Sequence, residues 1–321
     1  MLVKPIDKPV PAESLFPTWR GREPWHERVK PARAALRAAY PGLDRAIATL
    51  PFEIFEAAAF SQHEPVFKYN EVPAEALALF HRLPDAERAP WLCALLLWHM
   101  DRFDAVFSAH GLDAEFTLHY GDTFNRLIDQ IGKDVGFADI GKDSFLKELW
   151  LARVVMIPAF AQVWWPHSGL SARDVLRGGP GAALHVFGRC GGRRPYLEGH
   201  THDPVARAYW NEAGWGEALR LAALALRALP QAKGAFGTAW FYDPAVKQVS
   251  PRIAFAQDLQ VGRGGYRLRI GSNEAAIANA LATSAERRNR YKDGSYMPTD
   301  YAIIWSRRDL IAAYSCPPPL A

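Results

Sequence analysis

Apolar side chains recur at spacings of three and four through the first half of the chain. Ala34–Tyr40, Phe52–Phe60, Ala74–Leu83 and Pro90–His110 each carry this pattern, which predicts helices. Pro31, Pro73 and Pro90 stand where such helices begin, a position that proline tolerates. Gly42, Gly111 and Gly121 are the expected breaks. Upstream, Pro5, Pro9, Pro11, Pro17 and Pro24 oppose regular helix, so residues 1–30 read as an extended arm, with Phe16, Trp19 and Trp25 available to pack on the body.

After about Lys147 the pattern changes. Leu151–Val163 has β-branched runs around a central proline and reads as a strand with a bulge or break. Ala182–Phe187 and Pro195–His202 read as two strands of a hairpin, joined by the glycine-rich stretch 188–194. A helix at Glu212–Leu229 follows, then a strand at Gly234–Tyr242 and a helix or loop at Ser250–Leu259. A strand at Tyr266–Ile270, a helix at Asn273–Lys292 and a strand at Tyr301–Trp305 complete the order. The expected organisation is an arm at 1–30, a helical domain at 31–147 and an α/β (α+β) domain at 148–321. The sheet of that last domain is expected to be mixed and mostly antiparallel, with flanking helices.

Candidate chemistry gathers on one strand. Alternation places Tyr196, Glu198, His200 and His202 on one face and Leu197, Gly199 and Thr201 on the other. A symmetric hairpin puts His185 near Glu198. Three readings stay open: a solvated edge hairpin, a general acid/base pair, or a metal site built on His200 and His202 with His185 or Glu198 as third ligand. The metal reading implies an oxygenase or a hydrolase. His81, His99, His110 and His119 contain no i, i+4 pair of the kind that binds metal on a helix.

Next comes Asn211-Glu-Ala-Gly214-Trp215-Gly216 at the head of a long apolar helix. Glycines at a helix N-terminus let backbone N–H groups approach an anion such as a pyrophosphate. The order of strand, xxGxG turn, apolar helix and strand resembles the central motif of the GCN5-related N-acetyltransferase superfamily. In that motif a Gln or Arg leads; here the leading residue is Asn211. The segment Ala282–Tyr296, with Arg287, Arg288 and Arg290 before Tyr291, is similar to the family's last helix. The resemblance covers roughly residues 150–306, and residues 243–271 are an addition to the family's usual course.

The resemblance implies transfer of an acyl group from acetyl-CoA or another acyl-CoA to an amine of a small molecule or peptide. By it, Asn211, Gly214, Trp215 and Gly216 would seat the pyrophosphate arm, and Arg287 and Arg288 would meet CoA phosphates. Glu198, His200 or His202 would be the base, and Tyr291 the acid. The Asn211 departure keeps a second class in view, a non-catalytic ligand-binding module. The stretches 239–244 and 250–252 also resemble a bacterial family, which implies no activity.

Composition adds limits. Lys plus Arg number 38 against 34 Asp plus Glu in 321 residues, an excess too small to indicate a nucleic-acid partner. Eleven Trp beside 17 Phe and 11 Tyr demand deep cores or apolar pockets. Three scattered cysteines form no disulfide framework and point to a reducing cytoplasm. The N-terminus has no apolar signal core, and no apolar run reaches the roughly 20 residues of a membrane helix. A soluble enzyme acting on a small molecule is the expectation.

Overall fold

The structure, a computed structural model, describes residues 24–60, 66–202 and 208–314. Its chain divides into two units between Pro158 and Ala159. The boundary expected at residue 147 falls inside a helix whose residues 145–152 are all buried. Its Trp150 indole donates to the Tyr69 carbonyl at 2.7 Å, which ties that helix to the helical unit.

The helical unit consists of α1 (Trp25–Ala39), α2 (Leu43–Thr49), α3 (Phe52–Phe60), α4 (Ala74–Phe80), α5 (Asp85–Met100), α6 (Phe103–His110), α7 (Phe116–Lys133) and α8 (Asp143–Ala152). Trp91–Leu97 are all buried, so α5 is apolar around its circumference and forms the core. Three expectations are corrected. Most of the arm lies outside the described residues, but Trp25–Lys30 already belong to α1. Pro31 and Pro90 lie inside helices rather than at their starts. Burial of Trp25, Val29 and Leu36 offsets the hydrogen bond that Pro31 removes from α1. Gly121 lies within α7 and does not end it, because the Trp25 indole packs where a Cβ would stand, at 3.3 Å. Gly111 does end α6, with φ of 63°.

The sheet has six strands in the order β1-β2-β3-β4-β6-β5: β1 (Ile157–Ala159), β2 (Gln162–Ser168), β3 (Tyr196–Thr201), β4 (Gly234–Ala239), β5 (Tyr266–Gly271) and β6 (Asp300–Ser306), of which β2–β6 lie in the second unit. The run read as one strand at 151–163 is instead the end of α8, β1 and the start of β2, turning at Phe160 with φ of 55°. The pairs β2–β3, β4–β6 and β5–β6 are antiparallel, and β3–β4 is parallel. Parallel neighbours need a crossover. It is supplied by α11 (Glu212–Ala228), ten of whose 17 residues are buried.

The segment expected as the first hairpin strand is helical. Here α9 (Ala172–Arg177), α10 (Gly179–Ala183) and a π-helical turn (Leu184–Arg189) run in succession. Val175, Ala182 and Val186 of this segment pack with Tyr196, Phe236, Leu268, Ala302 and Ile304 on one sheet face. The other face meets α11, where the Trp164 indole donates to the Ala218 carbonyl at 3.2 Å. Beyond β4 come a 3-10 turn (Trp240–Tyr242), α12 (Val246–Val249) and α13 (Phe255–Val261). The helix expected at 273–292 is two, α14 (Glu274–Leu281) and α15 (Ala285–Lys292), because Ser284 caps a new start by accepting from the Arg287 N–H. The short α16 (Arg307–Ala313) follows β6. No described helix is long and apolar enough to cross a membrane.

Gly199 lies opposite Trp164 across the β2–β3 ladder. A Cβ there would stand 2.8 Å from the Trp164 ring, which has no room to withdraw while its indole holds α11. Gly199→Ala is therefore expected to cost about 1–3 kcal/mol by overpacking. Thermal unfolding checks this, and adding Trp164→Leu is expected to recover part of the loss.

Candidate active site at the end of the parallel strands

The pairing of β3 with β4 covers three rungs only: Leu197 with Ala235, Glu198 with Phe236, and Gly199 with Gly237. Both strands continue for two residues past the last rung, β3 to Thr201 and β4 to Ala239. The facing edges of these two ends carry no rung to each other, although β2 and β6 pair with their outer edges.

Tyr196, Glu198 and His200 lie on the face that carries Phe236, as alternation requires. Trp165 stands opposite Glu198, and Ser168 opposite Tyr196, so β2 spends one extra residue between them. This bulge contains Pro166, which lacks the N–H a regular ladder needs. It turns the Ser168 hydroxyl onto the Glu198 carboxylate, at 2.6 Å. His200 Nε2 lies 3.5 Å from the same oxygen of Glu198, Oε2. Burial pushes the Glu198 carboxyl up, but the hydrogen bond and charge of His200, together with the Ser168 hydroxyl, outweigh it and hold the group below the usual carboxylate range. Glu198 is thus ionised at neutral pH, the form that accepts a proton. Thr238, next along this face of β4, is exposed beside the gap. Sequence reasoning missed Ser168 and Thr238; Pro166 within a strand-like run was the available signal for the bulge.

His202 follows β3, is buried, and donates its backbone N–H to the Ala161 carbonyl at 2.9 Å. His185 is not across from Glu198. It lies on the π-helical turn, stacked on Tyr266 of β5 with ring centroids 4.6 Å apart. Because β5 is three strands from β3, roughly 14 Å at ordinary strand spacing, His185 cannot join His200 and His202 on one ion. Among the described residues no group of three His, Cys, Asp or Glu is placed to hold a metal.

The head of α11 is arranged differently from a free phosphate seat. The Asn211 side chain caps the helix by accepting from the Gly214 N–H at 2.9 Å. A Cβ on Gly214 would stand 2.4 Å from the Tyr209 carbonyl oxygen, so this glycine is required by chain packing. Gly216 is buried. Trp215 is buried among Trp210, Phe241 and Phe255, and among the described residues its indole N–H meets no acceptor. The N–H groups of Glu212 and Ala213 remain uncommitted among the described residues. On the α11 side of the sheet, the Tyr242 hydroxyl would lie 3.1 Å from a Cβ on Gly237. Burial pushes that phenol up, against a smaller opposing pull from Gln260 and Gln162.

Tyr291 is half-buried on α15, and its side chain has no hydrogen bond, ion pair or ring contact with Ser168, Glu198 or His200. Arg287 is buried. It donates to the Ala280 carbonyl, to Ser250 at 2.8 Å and to Thr283 at 3.0 Å, with its guanidinium 4.5 Å from the Trp240 ring. Arg288 donates to the Leu281 carbonyl at 2.8 Å, and Arg290 pairs with Glu286 at 2.6 Å. Arg287 and Arg288 thus satisfy the carbonyls that end α14.

Two expectations follow for solution measurements. Arg287→Ala, which leaves these acceptors without their donor, is expected to cost about 2 kcal/mol or more in chemical denaturation, with Arg288→Ala close to neutral. The depressed Glu198 pKa stabilises the fold above the unfolded value of about 4.3, and that contribution is lost as pH falls through the folded value. The stability gap between the wild type and Glu198→Gln is expected to be widest at neutral pH and to close in acid below pH 4, as urea titrations at several pH values will show.

No family model, curated protein or solved structure matches this chain.

Proposed function

We propose that the chain is an N-acyltransferase that moves an acyl group from an acyl-CoA to an amine. The observation that carries this reading is the parallel β3–β4 pair, joined by α11, whose rungs to each other end at Gly199 and Gly237 beside an ionised carboxylate. The amide-bearing arm of CoA suits the end of such a parallel pair, because its peptide-like groups can pair with strand edges. The uncommitted N–H groups of Glu212 and Ala213 are the seat we assign to its pyrophosphate, in place of the capped Gly214. The thioester supplies an activated carbonyl when bound.

In this reading the protein's work is orientation and proton removal. Glu198 takes the proton of the incoming amine, directly or through His200, and the Ser168 hydroxyl fixes the carboxylate. Thr238 lines the entry from the same face. Tyr291 is the acid by resemblance only. The arginines of α15 are assigned to structure. The two described cysteines, Cys93 and Cys190, are free and buried, which suits a soluble enzyme of the reducing cytoplasm.

The test separates binding from chemistry. Acetyl-CoA is titrated calorimetrically into the wild type and Glu198→Gln, and thiol release is followed with a panel of amines. Saturable binding to both proteins is expected, with turnover lowered by roughly 10²–10⁴-fold in the variant. Absence of acetyl-CoA binding to the wild type, or undiminished turnover in Glu198→Gln, rejects the proposal.

A further inference from the structure

The sheet has a second concave site at its opposite end, where β3 and β4 begin and β6 finishes. A cavity of about 640 Å³ is lined there by Arg189, Lys233, Arg307, Arg308, Ile311 and Ala312, with Cys190 in its wall. The backbone frame is rigid. The Lys233 N–H donates to the Pro195 carbonyl at 2.8 Å, and the Lys233 carbonyl accepts from the Arg307 N–H at 2.9 Å. The four residues Tyr196–Gly199 of β3 separate this cavity by roughly 13 Å from the end of the β3–β4 rungs.

Four cations converge on the cavity, and among the described residues one carboxylate stands beside them. Asp309 binds Arg189 through two hydrogen bonds, at 2.5 and 2.9 Å, and lies 3.6 Å from Arg308 Nε. Among the described residues Lys233 and Arg307 have no ion pair, and the buried Nε of Arg307 has no hydrogen-bond partner. A buried donor without an acceptor costs about 1–3 kcal/mol, which an anion in the cavity would recover. Guanidinium forks match phosphate oxygens in pairs. The volume exceeds what a lone phosphate fills, and Ile311 with Ala312 supplies an apolar wall for the rest of a ligand.

We infer that this cavity binds a small phosphate-bearing metabolite, with Lys233 and Arg307 gripping a phosphate or diphosphate group and Ile311 and Ala312 meeting its apolar body. This site is separate from the one proposed for acyl-CoA and does not rest on it.

Inorganic pyrophosphate is the probe, titrated calorimetrically into the full chain at low salt. One-site binding is expected, weakened at least tenfold in Lys233→Gln/Arg307→Gln and retained in Lys233→Arg. Exposed Arg308→Gln, which leaves the frame intact, is the second variant, with an expected loss of about threefold. No pyrophosphate binding to the wild type, or equal affinity in the double and the Arg308 variants, overturns the inference. So does a short single-stranded oligonucleotide that displaces pyrophosphate at far lower concentration, since the surface is then one for nucleic acid.

Discussion

The parallel register of β3 with β4 is the constraint on which the second unit depends. No short turn joins parallel neighbours, so a 17-residue helix must cross between them and lie on the sheet. Gly199 and Gly237, opposite each other on the last rung, leave room for the Trp164 ring over the first and the Tyr242 hydroxyl over the second. Trp164 in turn donates to the Ala218 carbonyl of that helix. Beyond these two glycines the β3–β4 ladder ends. The residues that make room for Trp164 beneath α11 therefore also mark the edge at which we place the acyl-CoA arm.

The opposite face of the same rungs is polar, and its chemistry follows from burial. A carboxylate three-quarters withdrawn from water must be hydrogen-bonded or else take up a proton. The β2 bulge delivers the Ser168 hydroxyl, and β3 itself delivers His200 two residues on. His200 does most to keep Glu198 charged, and the bulge at a proline that cannot donate to a ladder adds the Ser168 hydroxyl. Apolar helices cover the near part of this face at Tyr196 and Phe236, but leave the region of Thr238 open, so the charged group stands where packing gives way to solvent.

Much of this was legible in the sequence. A two-residue period in 196–201 places Glu198 and His200 together, and the nearly unbroken apolar run of 218–226 announces a buried crossover helix. The misread strand at 182–187 shows where such reasoning stops. Six residues containing Ala, Leu, Val and Phe satisfy a strand as well as a helix, and only their packing against Leu268 and Ile304 decides between the two. That choice carried His185 away from β3 and with it the third ligand of a metal site. The bulge at Pro166 was hidden for a different reason: which face Ser168 takes depends on register with β3, a pairing 30 residues distant.

Charge was the least legible property, because a sequence counts cations without showing which are already engaged. The cluster at 287–290 is conspicuous in the chain, yet in the fold its guanidinium groups close the end of α14, meet Ser250 and Thr283, or pair with Glu286. Lys233 and Arg307 are 74 residues apart and form no motif. Pairing of β4 with β6 brings them to one cavity, where among the described residues one carboxylate stands beside four positive side chains. An anion is attracted by charge that the protein itself has not neutralised. By that criterion the start of β4 is the stronger anion site, while the end of β4 offers mainly backbone groups, which suits the neutral amides of an acyl carrier better than its phosphates.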